Sequence, residues 1–179
     1  HLSTLDARGD ILRADALDWA KRVIDQAEYL SQRHLVVVAN PPYMGSSNMA
    51  GVLEDFIQRL MPDAKADLFA TFIQRAQTLA VRGGIVSMIA KQNWLFRPAF
   101  AALRSKLLAA HQLEQVLHFG AGAFDSLSGE VASTAAFVLR LHDSGRECWF
   151  ARLVDGENEA AKELALRGAI TASRRVFRR

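Results

Sequence analysis

Four consecutive residues, Asn40-Pro41-Pro42-Tyr43, concentrate the chemistry of this chain. They bring together an amide, two prolines and a phenol. Neither proline has a backbone N–H to donate, and each pushes the residue before it towards extended geometry. The loop is therefore stiff, and its backbone carbonyls point in fixed directions. It offers a side-chain amide, fixed acceptors and an aromatic face within four residues. A planar, hydrogen-bonding ligand suits such a surface.

The elements that must position this loop are legible on either side. Leu35-Val36-Val37-Val38-Ala39 is apolar at every position. Such a run predicts a strand buried on both faces, and the prolines end it. In open α/β sheets, ligands bind just outside the carboxyl ends of the strands, which is where the loop falls. Upstream, "DILRAD" reads as a short strand ending at Asp15. A helix follows, with Leu17, Ala20, Ile24, Ala27 and Leu30 as its apolar stripe. Downstream, "GVLEDFIQRLM" reads as a helix closed by Pro62. "DLFATFIQRAQTLAV" reads as another, with Leu68, Phe72, Ala76 and Leu79 on one face and Gly83-Gly84 as its C-cap. "IVSMIA", "LEQVLHF", "TAAFVLRL" and "ECWFARL" read as strands, "PAFAALRSKLLAA" and "ENEAAKELALR" as helices, and "GAGAFDSLSGEVAS" as a loop. Alternation of this kind predicts an α/β fold with a mostly parallel, doubly wound sheet. The closely spaced late strands allow an antiparallel pair at its edge.

The segment "VVVANPPY" resembles the catalytic motif of amino-methyltransferases that use S-adenosylmethionine, especially the adenine-N6 DNA methyltransferases. "ILRADALDW" resembles the segment whose aspartate holds the cofactor's adenine, here Asp15. "DLFATFIQRAQTLAVRGGIVSMIAKQNWL" resembles the helix and strand that follow, with Phe72 where the family lines the cofactor pocket. "HFGAGAFDSLSGEVASTAAFVLRL" resembles the late segment whose phenylalanine flanks the target base, here Phe124. The wording of "NPPYMGSSNM", "KADLFATFI" and "SGEVASTAAFVL" is most similar to the methyltransferases of BREX-type bacteriophage-resistance systems.

The resemblance implies a Rossmann-like class I methyltransferase domain with S-adenosylmethionine as cofactor and DNA as partner. Other phage-defence proteins would be further partners. Asn40, Pro41, Pro42 and Tyr43 would be the catalytic residues, Tyr43 and Phe124 would hold the base, and Asp15, Asn40 and Phe72 would serve the cofactor. The family's first cofactor motif, a strand with a glycine-containing turn, has no counterpart in residues 1–14, nor has its ribose-binding acid. The expectation is a partial catalytic domain over residues 1–179, lacking a target-recognition domain. It would have an exposed sheet edge and bind S-adenosylmethionine weakly or not at all, which calorimetry would measure.

Several residues carry a plainer reading beside the functional one. Asp15 can be a helix cap, Phe72 a core residue, Phe124 a loop anchor and Tyr43 a cover for the core. Trp94 fits the core, and His118 a structural strand position. Gly120-Ala121-Gly122 is too short for a phosphate cradle. No metal-ligand cluster and no Ser-His-Asp arrangement is evident.

Composition narrows the class further. Half of the 179 residues are hydrophobic, enough for a sizeable core. The charge of +3, from 22 basic and 19 acidic residues, permits nucleic-acid binding without arguing for it. "SRRVFRR" reads as a solvated end. A single cysteine, Cys148, allows no intramolecular disulfide and fits a reducing compartment such as the bacterial cytoplasm. No apolar run is long enough to span a membrane. Two other functions share the tetrapeptide or the fold: amino-methylation of protein glutamine or RNA, and a non-catalytic DNA-binding or assembly module.

Overall fold

The computed structural model describes residues 7–124, 133–143 and 147–176. The tail residues 177–179 and most of "DSLSGEVAS" lie outside them. The chain divides into two units, His1–Arg33 and His34–Arg179. The first contains one helix, α1 (Ala7–Ser31). This corrects the expected strand ending at Asp15. No glycine or proline occurs between Asp10 and Asn40, so nothing breaks the run, and its Ala, Leu, Arg, Glu and Gln residues favour a continuous helix. Asp15 lies in the interior of α1, exposed, and caps no end of it.

The second unit runs β1 (His34–Ala39), α2 (Gly51–Leu60), α3 (Leu68–Leu79), β2 (Ala80–Lys91), the single-turn α4 (Asn93–Phe96), α5 (Ala101–Ala110), β3 (His111–Gly120), β4 (Thr134–Leu141), β5 (Trp149–Arg152) and α6 (Glu159–Val176). The strands form one sheet in the order β1-β2-β4-β3-β5. β1 pairs parallel with β2, and β3 with β5, while β4 is antiparallel to both of its neighbours. Among the described residues four strands therefore share a direction and β4 opposes them. The antiparallel strand was expected at the edge; it lies third of five. No helix separates β3 from β4, so β4 returns alongside β3 and offers its other side to β2.

One face of the sheet carries the core. Val86, Met88 and Ala90 of β2 are buried, and so are their partners on β4, Leu139, Phe137 and Ala135. Phe69, Ile73 and Ala76 of α3 and Leu103 and Leu107 of α5 join the same buried cluster. Trp94 belongs to it too, its ring 4.8 Å from that of Phe137. The alternate positions of β2 and β4, Ile85, Ser87, Ile89, Ala136 and Val138, are only half-buried.

β1 was expected to be buried on both faces. Instead Leu35 is 76% exposed, Val36 54% and Val38 73%, and only Val37 and Ala39 pack against the core. The strand stands at one end of the sheet order and pairs, among the described residues, with β2 alone.

Gly83-Gly84 does not cap α3. The helix stops at Leu79, Ala80 is already extended, and the glycines lie inside β2. There the pairing with β1 slips, from His34 opposite Ala80 to Val36 opposite Ile85. Gly83 takes the left-handed conformation (φ +77°) that this irregularity requires. A Cβ on Gly84 would sit 2.9 Å from the Val81 carbonyl oxygen and 3.1 Å from that of Leu35. Both are backbone atoms and cannot swing away. Gly84→Ala is therefore expected to destabilise the unit by about 1–3 kcal/mol. Gly45→Ala, which meets nothing within 4 Å, is the control, and chemical denaturation of both variants checks the contrast.

Candidate active site at the carboxyl edge of the sheet

Because β1 and β2 are parallel, with Ala39 opposite Met88, both end at the same edge. The reversed β4 begins there, with Thr134 opposite Lys91 on one side and Gly120 of β3 on the other. Asn40, Lys91, Thr134 and Gly120 therefore share one edge. The segment leading to Phe124 departs from it.

Asn40 follows the last residue of β1 and is exposed. Pro41 is buried and Pro42 exposed, so the first proline anchors the loop while the amide before it stays open to solvent. Tyr43 is half-buried against the core cluster. Its ring stands edge-to-face with Phe69, with centroids 6.3 Å apart and an interplanar angle of 86°. Lys91 Nζ lies over the ring, 5.4 Å from its centroid. Burial raises the Tyr43 phenol above its ordinary value, and the nearby Asp67 carboxylate raises it further. Tyr43 is thus a neutral phenol at physiological pH.

The loop beyond Tyr43 is tied to the start of α3. Met44 N–H donates to Asp67 Oδ1 at 2.9 Å, Leu68 N–H to the Met44 carbonyl at 2.8 Å, and Ser46 N–H to the Ala66 carbonyl at 3.2 Å. Asp67, which is buried, also caps α3 by accepting from Phe69 N–H at 3.4 Å, and it meets Lys91 Nζ at 3.5 Å. Sequence reasoning missed Asp67 and Lys91 as parts of this site. An aspartate before an apolar helical run signals a cap, but its bond to a residue 23 positions earlier has no local signature.

Phe72 is 40% exposed on α3. It lines an apolar groove of about 230 Å3 with Leu53, Phe56, Ile57, Leu68 and Arg75. Phe124 is 37% exposed and follows Gly120 and Gly122, both in left-handed conformation. Asp15 lies in the first unit. The structure thus places Asn40 to Tyr43 and the root of the Phe124 segment at one edge and Phe72 on a groove of α3. It does not assign Asp15 to either.

His118, near the end of β3, bonds through Nε2 to Gln92 Oε1 at 2.5 Å. Burial lowers its proton affinity, and Arg152 and Lys162 lower it further. At the opposite edge, His111 Nδ1 accepts from His142 N–H at 3.1 Å, while Nε2 faces Gln77 Oε1 at 2.9 Å. Burial, then His142, lowers its proton affinity as well. Both imidazoles are held neutral, so the unfolded chain takes up protons before the folded one. The stability they contribute is complete above the unperturbed value near 6.5. It is lost as pH falls below that through their lower folded values. Thermal unfolding between pH 7.5 and 5 is expected to show a falling midpoint, with a shallower slope in a His111→Asn/His118→Gln double variant.

Comparison with known proteins finds similarity to restriction-modification methylases. The Eco57I restriction-modification methylase family matches residues 7–124. The adenine-specific methyltransferase BrxX of Escherichia coli O9:H4 (strain HS) is 41% identical over 163 residues, 90% of this chain. The adenine-specific methyltransferase PglX of Lacticaseibacillus casei (strain Zhang) is 35% identical over 151 residues, 84% of the chain. The chain spans only 14% and 12% of the length of these relatives. Among solved structures, a chain of a type I restriction-modification system superposes with a TM-score of 0.59 at 25% identity, over 82% of this chain and 32% of that one. The type ISP restriction-modification enzyme LlaGI, in complex with a DNA substrate mimic, gives a TM-score of 0.60 at 19% identity, over 83% of this chain and 17% of that one. The latter likeness speaks for the fold alone.

Proposed function

This chain belongs to the Eco57I restriction-modification methylase family, and we propose that it is the later part of the catalytic domain of an S-adenosylmethionine-dependent adenine-N6 DNA methyltransferase. The observation that carries the reading is the Asn40-Pro41-Pro42-Tyr43 loop. It stands at the carboxyl end of β1, with its amide exposed and its tyrosine ring backed by Phe69 and Lys91.

The chemistry follows from those residues. The exocyclic amine of adenine is a poor nucleophile because its lone pair is delocalised into the ring. The Asn40 side-chain carbonyl and the Pro41 backbone carbonyl supply two acceptors for its two N–H groups. Accepting both draws the nitrogen towards tetrahedral geometry and frees the lone pair. The target base must leave the duplex to reach the loop. Stacking on the Tyr43 ring, worth roughly 1–3 kcal/mol, offsets much of the unstacking cost, and Phe124 flanks the base. Asn40 and Phe72, which the resemblance assigns to the cofactor, are both accessible, and the groove beside Phe72 is apolar, which suits an adenosyl group. When bound, S-adenosylmethionine supplies an already activated sulfonium methyl, so the protein's share is alignment and electrostatics.

The similarity to BrxX and PglX supports a place for the parent protein in bacteriophage defence, with other proteins of such a system as partners. No helix of the described residues is long and apolar enough to cross a membrane. The deciding experiment is methyl transfer from labelled S-adenosylmethionine by the full-length parent to genomic DNA lacking N6-methyladenine. Label recovered as N6-methyladenine is the expected result. Label found only on RNA or protein would overturn the DNA assignment.

A further inference from the structure

We propose that Asp67 and Lys91 are a positioning clamp for the Tyr43 ring, setting how tightly a planar base is held while leaving the methyl-transfer step unaltered. The inference rests on the reading of the loop as an adenine site.

A helix cap requires only the Asp67–Phe69 bond, which is long at 3.4 Å. The same carboxylate makes a shorter bond, 2.9 Å, to Met44 N–H, the peptide immediately after Tyr43. Its second oxygen meets Lys91 Nζ at 3.5 Å. That ammonium lies 5.4 Å from the centre of the Tyr43 ring. Three elements thus converge on one ring: the loop after β1, the first turn of α3 and the carboxyl end of β2. Asp67 is 7% exposed, so its charge must be matched, and Lys91 matches it. Lys91 lies over the ring and Phe69 meets it edge-to-face, so the two fix the orientation of the surface on which a base would stack. The ammonium also holds the ring against rotation through its attraction to the π-system. The contacts of the pair are with Met44 and the Tyr43 ring, so the pair acts on the stacking surface rather than on the amine.

Two readouts test this. In the 179-residue chain, chymotrypsin can cut the Tyr43–Met44 bond, with the cut identified by mass spectrometry. Native-state cutting tracks opening of the loop. Asp67→Ser keeps a good helix cap but is too short to hold Met44. It is expected to speed this cut at least about tenfold, with Lys91→Met giving a smaller increase. In the full-length parent, Lys91→Met is expected to raise KM for unmethylated genomic DNA roughly 3–10-fold with kcat within about twofold, and Lys91→Arg to restore it. Equal cutting of Asp67→Ser and wild type would overturn the clamp, as would Lys91→Met lowering kcat at unchanged KM. If the wild-type parent places no methyl on DNA, the adenine reading fails, and the cutting rates still decide whether the pair holds Tyr43.

Discussion

Asn40→Ala in the full-length parent is expected to lower methyl transfer to DNA by about 100-fold or more while leaving the protein folded. Removing one preorganised electrostatic partner of a reacting group typically costs 10²–10³ in kcat. Asn40 supplies one of only two acceptors proposed for the amine. The fold has little at stake in this side chain. It is exposed, it lies outside the buried cluster, and alanine before proline keeps the extended backbone. An unfolding midpoint within about 0.5 kcal/mol of wild type is therefore the companion result. Methyl transfer at the wild-type rate would remove the loop from the chemistry altogether.

The second large effect is on stability. Phe69→Ala is expected to cost about 3–5 kcal/mol, a large share of the 5–15 kcal/mol that typically holds a domain together. The ring is fully buried. Its centroid lies 5.3 Å from that of Phe100 and 6.3 Å from that of Tyr43. Truncation leaves a cavity bounded by α3 and by the loop it supports. Urea denaturation monitored by circular dichroism would measure the loss, and a change below about 1 kcal/mol would show that this ring is not part of a tight core.

What the sequence disclosed follows the range of the interactions involved. "TAAFVLRL" was read as a strand and is β4, because a short apolar run bounded by loops has few other outcomes. The edge location of Asn40-Pro41-Pro42-Tyr43 was legible for the same reason: two prolines must end a strand. The failures lie where two structures satisfy one local pattern. "DILRAD" fits a strand's apolar pairing and a helix's stripe equally well, and the unbroken stretch after it decided for α1. Gly83-Gly84 fits a helix end and a bulge alike, and the partner that decided it was β1, more than 40 residues upstream. The exposure of β1 was hidden because apolarity reports what a strand could bury, not what lies against it. Asp67 and Lys91 escaped notice because their partners are brought near only by the finished sheet.

The paired residues Gly120 and Thr134 have one further consequence. They are direct partners in the sheet, so the residues between them leave from and return to adjacent points. Closing such an excursion costs little more as it lengthens, about 0.6 kcal/mol for each doubling. A change in the length of the connection would therefore leave the pairing of Gly120 with Thr134 in place. Evolution can diversify such a connection as a cassette while the scaffold beneath it is inherited unchanged.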